Sequence, residues 1–296
     1  MQTPWGDIPV LDAHVHFFSR RFFDSLGAQS GKSPMQVAET LGWDMPADDP
    51  VELARRWEAE LDRQGVARAA LIASMPGDEV SVIAAARACP GRFFAYAMVN
   101  PLAENAAVTE GLDAVCLFPA MHRYSVQDPR ARTIVEQAAA RGCAVFVHCG
   151  ILTVGVRKKL GLRSLFDMRF SDPVDLHSVA LEYPSVNFVV PHFGAGYFRE
   201  ALMLAELCPN VYLDTSSSNS WMRHEGLDLK TVYARALTVA GPRRLLFGTD
   251  SSFFPRGWNR AIFDAQMAAL RDLGTEQGDA RRILGENLAE ILGRER

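Results

Sequence analysis

The sequence predicts a single (β/α)8 TIM barrel with an insertion after its first strand. Three observations predict it: eight short apolar runs, helix-patterned segments between them, and polar residues that recur where the runs end. The runs are IPVLDAHVHF (8–17), ARAALIAS (67–74), RFFAYAMVN (92–100), AVCLFP (114–119), AVFVHC (144–149), VNFVVPHF (186–193), NVYLDTS (210–216) and RLLFGTD (244–250). Near-continuous Val, Ile, Leu and Phe mark them as parallel strands buried on both faces. At 296 residues the chain is long for one domain, but α/β barrels commonly use about 250 residues as a single unit, so 1–296 reads as one barrel.

Helical spacing fills the intervals, in PVELARRWEAELDRQG, EVSVIAAARAC, PRARTIVEQAAARG, PVDLHSVALEY, REALMLAELC and LKTVYARALTVAG. Asp49, Asp128 and Asp172 each precede a proline at a first helical position, and Gly65, Gly142 and Gly241 follow helices as stop signals. The stretch 18–48, with GAQSGKSP and LGWDMPADDP, breaks this rhythm and reads as an insertion over the barrel mouth. The tail GDARRILGENLAEILG places Ile283, Leu284, Leu288, Ile291 and Leu292 at helical spacing, as a closing helix that packs on the barrel.

A formal charge of −4 and the absence of any Lys/Arg-rich block give no electrostatic footprint for nucleic acid, which leaves small-molecule chemistry. The first residues lack the basic start and apolar stretch of a signal peptide, and no apolar run reaches the ~18 residues of a membrane span. A cytoplasmic protein without membrane contact is expected. Five cysteines without a C-x-x-C pair argue against a disulfide framework.

In the first strand Asp12, His14 and His16 alternate with Ala13 and Val15, so strand periodicity puts all three on one face. Two imidazoles spaced in this way can share one ion. His148 ends AVFVH, His192 ends VNFVVPH and Asp250 ends RLLFGTD. Every strand of a parallel barrel opens on the same face, so these groups converge at one mouth. An N/O donor set without thiolate suits one divalent metal ion, with Zn²⁺ favoured and Mn²⁺, Fe²⁺ or Co²⁺ also compatible. Asp12 is expected to orient one of the imidazoles.

Taken together, LDAHVHF, AVCLFPAMHRY, VFVHCG, SDPVDLHSVALEYPSVNFVVPHFG, NVYLDTS, LLFGTDSSF and ILGENLAEIL resemble the metal-dependent amidohydrolase superfamily over nearly the whole chain. The likeness is to its amidohydrolase-related branch, which includes 2-amino-3-carboxymuconate semialdehyde decarboxylase, aromatic-acid decarboxylases and lactone hydrolases. The resemblance implies a distorted barrel, metal ligands His14, His16, His148 and Asp250, a catalytic or supporting His192, and a homodimeric assembly. Binuclear members carry a carboxylated lysine on the fourth strand. Here that strand has Cys116, read as a packing thiol, so a mononuclear site is expected.

Such a site lowers the pKa of bound water towards ~7. Asp250 is then placed to accept the water's proton, and His192 to polarise a carbonyl or stabilise an oxyanion. Hydrolysis of an amide, ester or lactone is the leading reading. The alternatives are non-oxidative decarboxylation of a carboxylated aromatic or conjugated acid at the same residues, and a catalytically silent barrel. VVPHFGAG, where decarboxylase members tend to show a His-Gly-rich stretch, tips the balance towards hydrolysis. Arg123, after the fourth strand, is the candidate partner of a substrate carboxylate, ahead of Arg157, Arg169, Arg223 and Arg256. Phe17, Phe18, Trp43, Trp221, Phe253 and Phe254 are candidates to line an apolar pocket.

Overall fold

In the computed structural model all eight apolar runs become parallel strands: β1 Leu11–Phe17, β2 Arg68–Ala73, β3 Phe93–Val99, β4 Ala114–Leu117, β5 Ala144–Val147, β6 Phe188–Val190, β7 Val211–Asp214 and β8 Leu245–Leu246. The structure describes residues 1–152, 154–216 and 219–293. Each strand pairs with the next in sequence. The ring closes where the end of the chain's β8 region meets β1: Ala13 N–H donates to Phe247 O at 2.8 Å and His16 N–H to Ser251 O at 2.7 Å. This is a (β/α)8 barrel.

Two apolar layers hold it. Leu11, Ala13, Ile72, Phe94, Phe146 and Val189 fill the barrel interior, and Leu288, Ile291 and Leu292 of the C-terminal tail join the same cluster. The tail therefore acts as the predicted closing segment. A larger outer layer, including Val15, Phe17, Leu71, Val145 and Leu213, lies between strands and helices. Helices Pro50–Gln64 and Pro129–Arg141 begin as the sequence indicates, with Asp49 and Asp128 accepting from Val51 N–H and Arg130 N–H, and end at left-handed Gly65 and Gly142. Asp172 caps a 3₁₀ turn, Pro173–Leu176, that runs directly into helix His177–Glu182. The insertion carries helices α1 (Arg20–Ser30) and α2 (Pro34–Leu41), which pack with Leu160 into a separate small core. Among the described residues no helix is long and apolar enough to cross a membrane.

Strand β1 departs from simple alternation. Its register against β2 shifts between Asp12 and Val15, a β-bulge. Leu11 and Ala13 face the barrel interior, whereas Val10, Val15 and Phe17 face the outer layer. The bulge thus puts His14 and His16 on the inner side and leaves Asp12 on the outer one, a common use of bulges beside active sites.

Candidate metal centre

His14 and His16 stand at the C-terminal half of β1, His148 directly follows β5, His192 lies two residues after β6, and Asp250 lies four residues after β8. The barrel brings all five to one cavity of about 440 Å³. His16 Nε2 lies 3.1 Å and His14 Nε2 3.7 Å from Asp250 Oδ1. One ligand atom from each of these three residues falls within 4.8 Å of the others. The four imidazoles form a chain, with ring centroids 5.1 Å apart for His14 and His16, 4.9 Å for His14 and His192, and 5.4 Å for His148 and His192.

The opposite ring nitrogens are held. Ser74 Oγ donates to Ile72 O at 3.1 Å, so at 2.6 Å it accepts from His16 Nδ1–H. His14 Nδ1 donates to Asp214 Oδ2 at 2.6 Å. Both contacts leave Nε2 with a free lone pair, the arrangement that second-layer partners impose on metal-binding imidazoles. Burial disfavours charge on His14, but Asp214 outweighs it and lifts its pKa above the ordinary value. At His148 burial and the neighbouring His192 and His14 act together and push the pKa well below the ordinary value, while burial lowers that of His192. Burial works against ionised Asp250, yet the hydrogen bond from His16 and the charges of His14, His16 and His192 hold its carboxyl well below the usual range. The mouth therefore combines an ionised carboxylate with two imidazoles, His148 and His192, whose burial favours the neutral form.

The donor set fits a cation by a separate observation. His148 Nε2 is buried and has no hydrogen-bond partner among the described residues. An orphan of this kind costs about 1–3 kcal/mol unless something occupies it. His192 and Asp250 also sit in left-handed conformations, at φ 55° and 57°. Non-glycine residues held there concentrate at functional sites. Gly248, in FGTD, has a packing reason to be glycine: a Cβ would lie 2.8 Å from Asp214 Oδ1 and 3.0 Å from His14 Cβ.

Three sequence expectations need correction. Asp12 orients no imidazole: it accepts from the backbone N–H groups of His14 (2.9 Å) and Thr249 (3.1 Å), from Thr249 Oγ1 and from Trp258 Nε1 (2.7 Å). The bulge turned it outward, and Asp214 takes the orienting role. Burial raises the Asp12 pKa to about 6 despite these bonds. Arg123 is not among the residues that line the cavity. Its backbone, left-handed at φ 60°, ends the turn Pro119–His122, and its Nε donates to Leu165 O at 2.7 Å. Lys159 and Arg256 are the cations that line the mouth. Of the six aromatics expected there, Phe18, Trp43 and Phe253 line it, whereas Phe17, Trp221 and Phe254 are core residues. Cys116 is a wholly buried packing thiol inside the barrel, and burial raises its pKa.

The amidohydrolase family profile matches residues 11–294. The chain belongs to that family. It is 36% identical over 98 residues to Protein fluG of Emericella nidulans, a match that spans 32% of this chain and 11% of that much longer protein. Solved structures share the fold at low identity. A putative 2-pyrone-4,6-dicarboxylic acid hydrolase from Pseudomonas putida superposes with TM-score 0.63 at 17% identity, covering 98% of this chain and 99% of its own. A Burkholderia multivorans amidohydrolase with bound zinc gives 0.62 at 15%, covering 96% and 99%. A dihydroxybenzoic acid decarboxylase from Polaromonas sp. JS666, with bound manganese and 2-nitroresorcinol, gives 0.62 at 16%, covering 98% of each chain. The fold thus accommodates both hydrolases and decarboxylases.

Sequence reasoning missed Asp214. The signal was present, because NVYLDTS ends an apolar strand in a carboxylate just as RLLFGTD does. Replacing Asp214 by asparagine is expected to weaken metal binding about 10- to 100-fold, as losses of such orienting partners do. Competition against a chromophoric chelator measures this. Unchanged affinity would remove Asp214 from the site.

Proposed function

We propose that this amidohydrolase is a mononuclear metal-dependent hydrolase of a small organic ester, lactone or amide. His14, His16, His148 and Asp250 would hold the ion, with Zn²⁺ favoured by the N/O donors. A divalent ion bound there supplies Lewis acidity and a water acidified to near-neutral pKa. The observation that carries the reading is the Asp250 carboxylate, kept ionised beside His16 at the cavity wall. An ionised carboxylate can accept the nucleophilic water's proton and pass it on to the leaving group.

His192 Nδ1 lies 3.1 Å from the Ser216 carbonyl oxygen and 2.9 Å from Ser216 Oγ; with the proton on Nδ1 donating to the carbonyl, neutral His192 presents Nε2 as an acceptor. It takes up a proton first, and only as imidazolium does it donate to an oxyanion or leaving group.

A decarboxylase reading draws on a different feature. His16, Phe18, Trp43 and Phe253 stack in series with interplanar angles of 14°, 8° and 10°, and the Arg256 guanidinium lies 4.6 Å from the Phe253 ring centroid. Such a wall, with Lys159 beside it, suits a flat carboxylated ring. Metal-loaded protein incubated with lactones, aryl esters and amides, and in parallel with hydroxybenzoates, separates the two readings. Chelator-sensitive acid release without CO₂ is the expected result. CO₂ release alone would replace the hydrolase with the carboxy-lyase, and no chelator-sensitive turnover on any compound would sink both.

A further inference from the structure

A second cavity, of about 350 Å³, lies beside the one that His14, His16, His148, His192 and Asp250 line. Phe22, Met98, Met121, Leu152 and Val156 line both, so the two adjoin across these side chains. The side chamber runs between α1 and the loop after β5, and Leu26, Met75, Pro76 and Phe166 complete its apolar wall.

We infer that the substrate has two parts: a head that reaches the His14–His16–Asp250 mouth, and an uncharged apolar arm that passes Met98 and Met121 into this chamber. The inference rests on the metal-centre reading for the head only.

The wall chemistry argues for an apolar arm. Methionine is unbranched and polarizable, and three methionines let the passage adapt to a flexible chain. The polar groups at the chamber are committed or neutral. Arg157 donates to Gln29 Oε1 at 2.7 Å and to Arg163 O at 3.0 Å. Burial lowers the pKa of His122 to about 4, so its imidazole carries no charge at neutral pH. A charged arm would lose its hydration against this apolar wall. Leu165 lines the chamber with half its surface exposed, an apolar area that an arm would cover.

A series of para-alkyl benzoates tests this by calorimetry on the metal-loaded protein. Benzoate is a suitable head because a carboxylate is both the product of the proposed hydrolysis and the substrate of the alternative reaction. From methyl through butyl to hexyl, affinity should rise about three- to fourfold per added methylene. Met75→Trp and, independently, Leu165→Trp should flatten the gradient, since both residues line only the side chamber. The shortest member should bind these variants as before. Removing the metal should weaken every member by the same factor and leave the gradient intact. A gradient that persists while metal removal changes nothing would retain the arm and refute the metal-held head. A flat series in the unmodified protein, or no binding by the hexyl compound, would overturn the arm. A gradient untouched by both tryptophan substitutions would place the arm elsewhere and also overturn the proposal.

Discussion

Purified protein is expected to carry about one transition-metal ion per chain, and the His14→Ala/His148→Ala double variant almost none. Losing a partner that merely orients a ligand costs about 10- to 100-fold in affinity, so losing two ligands should cost at least about 10²- to 10⁴-fold. Elemental analysis after dialysis reads the stoichiometry directly. Stability gives a second readout. Metal at a thousandfold excess over its dissociation constant stabilises a folded chain by about 4 kcal/mol. Added metal should therefore raise the melting midpoint of the unmodified protein by several degrees and leave the variant where it was. The double variant should still fold, because the barrel closes through backbone bonds such as Ala13 N–H to Phe247 O, and His148 Nε2 has no partner among the described residues to lose. Two ions per chain would require a bridging group. Cys116 could supply one only by ionising where burial holds its thiol neutral. No metal after supplementation would end the mechanism proposed above.

The barrel was legible because buried parallel strands leave a strong signature. All eight runs are strands, even where the hydrogen-bonded ladder has shortened to Leu245–Leu246. Helix Arg260–Asp272 was not picked out from the sequence, although Phe263, Gln266, Met267 and Leu270 form its buried face. The convergence of His14, His16, His148, His192 and Asp250 followed from strand-end position alone. Side-chain direction did not follow where the backbone is irregular. Strict alternation along LDAHVH puts Asp12 beside the histidines, but the bulge after Asp12 reverses the side it faces. No residue in that stretch is a glycine that would flag the bulge in advance. Arg123 is a left-handed residue ending a short turn, where strand periodicity gives no guide to side-chain direction. The candidate metal ligands lie in a strand or within four residues of a strand end, whereas the substrate contacts come from longer loops, where periodicity carries no information.

Replacing Gly150 with alanine is expected to be among the most damaging single changes outside the ligand set. Gly150 lies two residues after His148, and its neighbour Ile151 donates to Ala195 O at 2.7 Å. The loop carrying His148 is thereby docked on the loop carrying His192. That second loop is held in an uncommon shape, with positive φ at His192, Phe193, Gly194, Ala195 and Gly196 in succession. Gly150 is left-handed at φ +76°, and a Cβ there would lie 2.7 Å from the Ala195 carbonyl carbon and closer still to the Gly194 and Ala195 oxygens. The methyl meets backbone on a strained segment, so no side chain can rotate to relieve it. Left-handed strain and overpacking together predict a loss of about 2–5 kcal/mol. Gly161 separates the two contributions: it is also left-handed, at φ +69°, but a Cβ there meets nothing within 4 Å. Gly161→Ala should therefore cost only about 1–2 kcal/mol. Urea denaturation of the two variants gives the comparison, and metal affinity shows whether any surviving Gly150→Ala protein has separated His148 from His192. Equal losses at the two positions would mean that the loops part without penalty. The spacing of His148 and His192 would then be set by the strands alone.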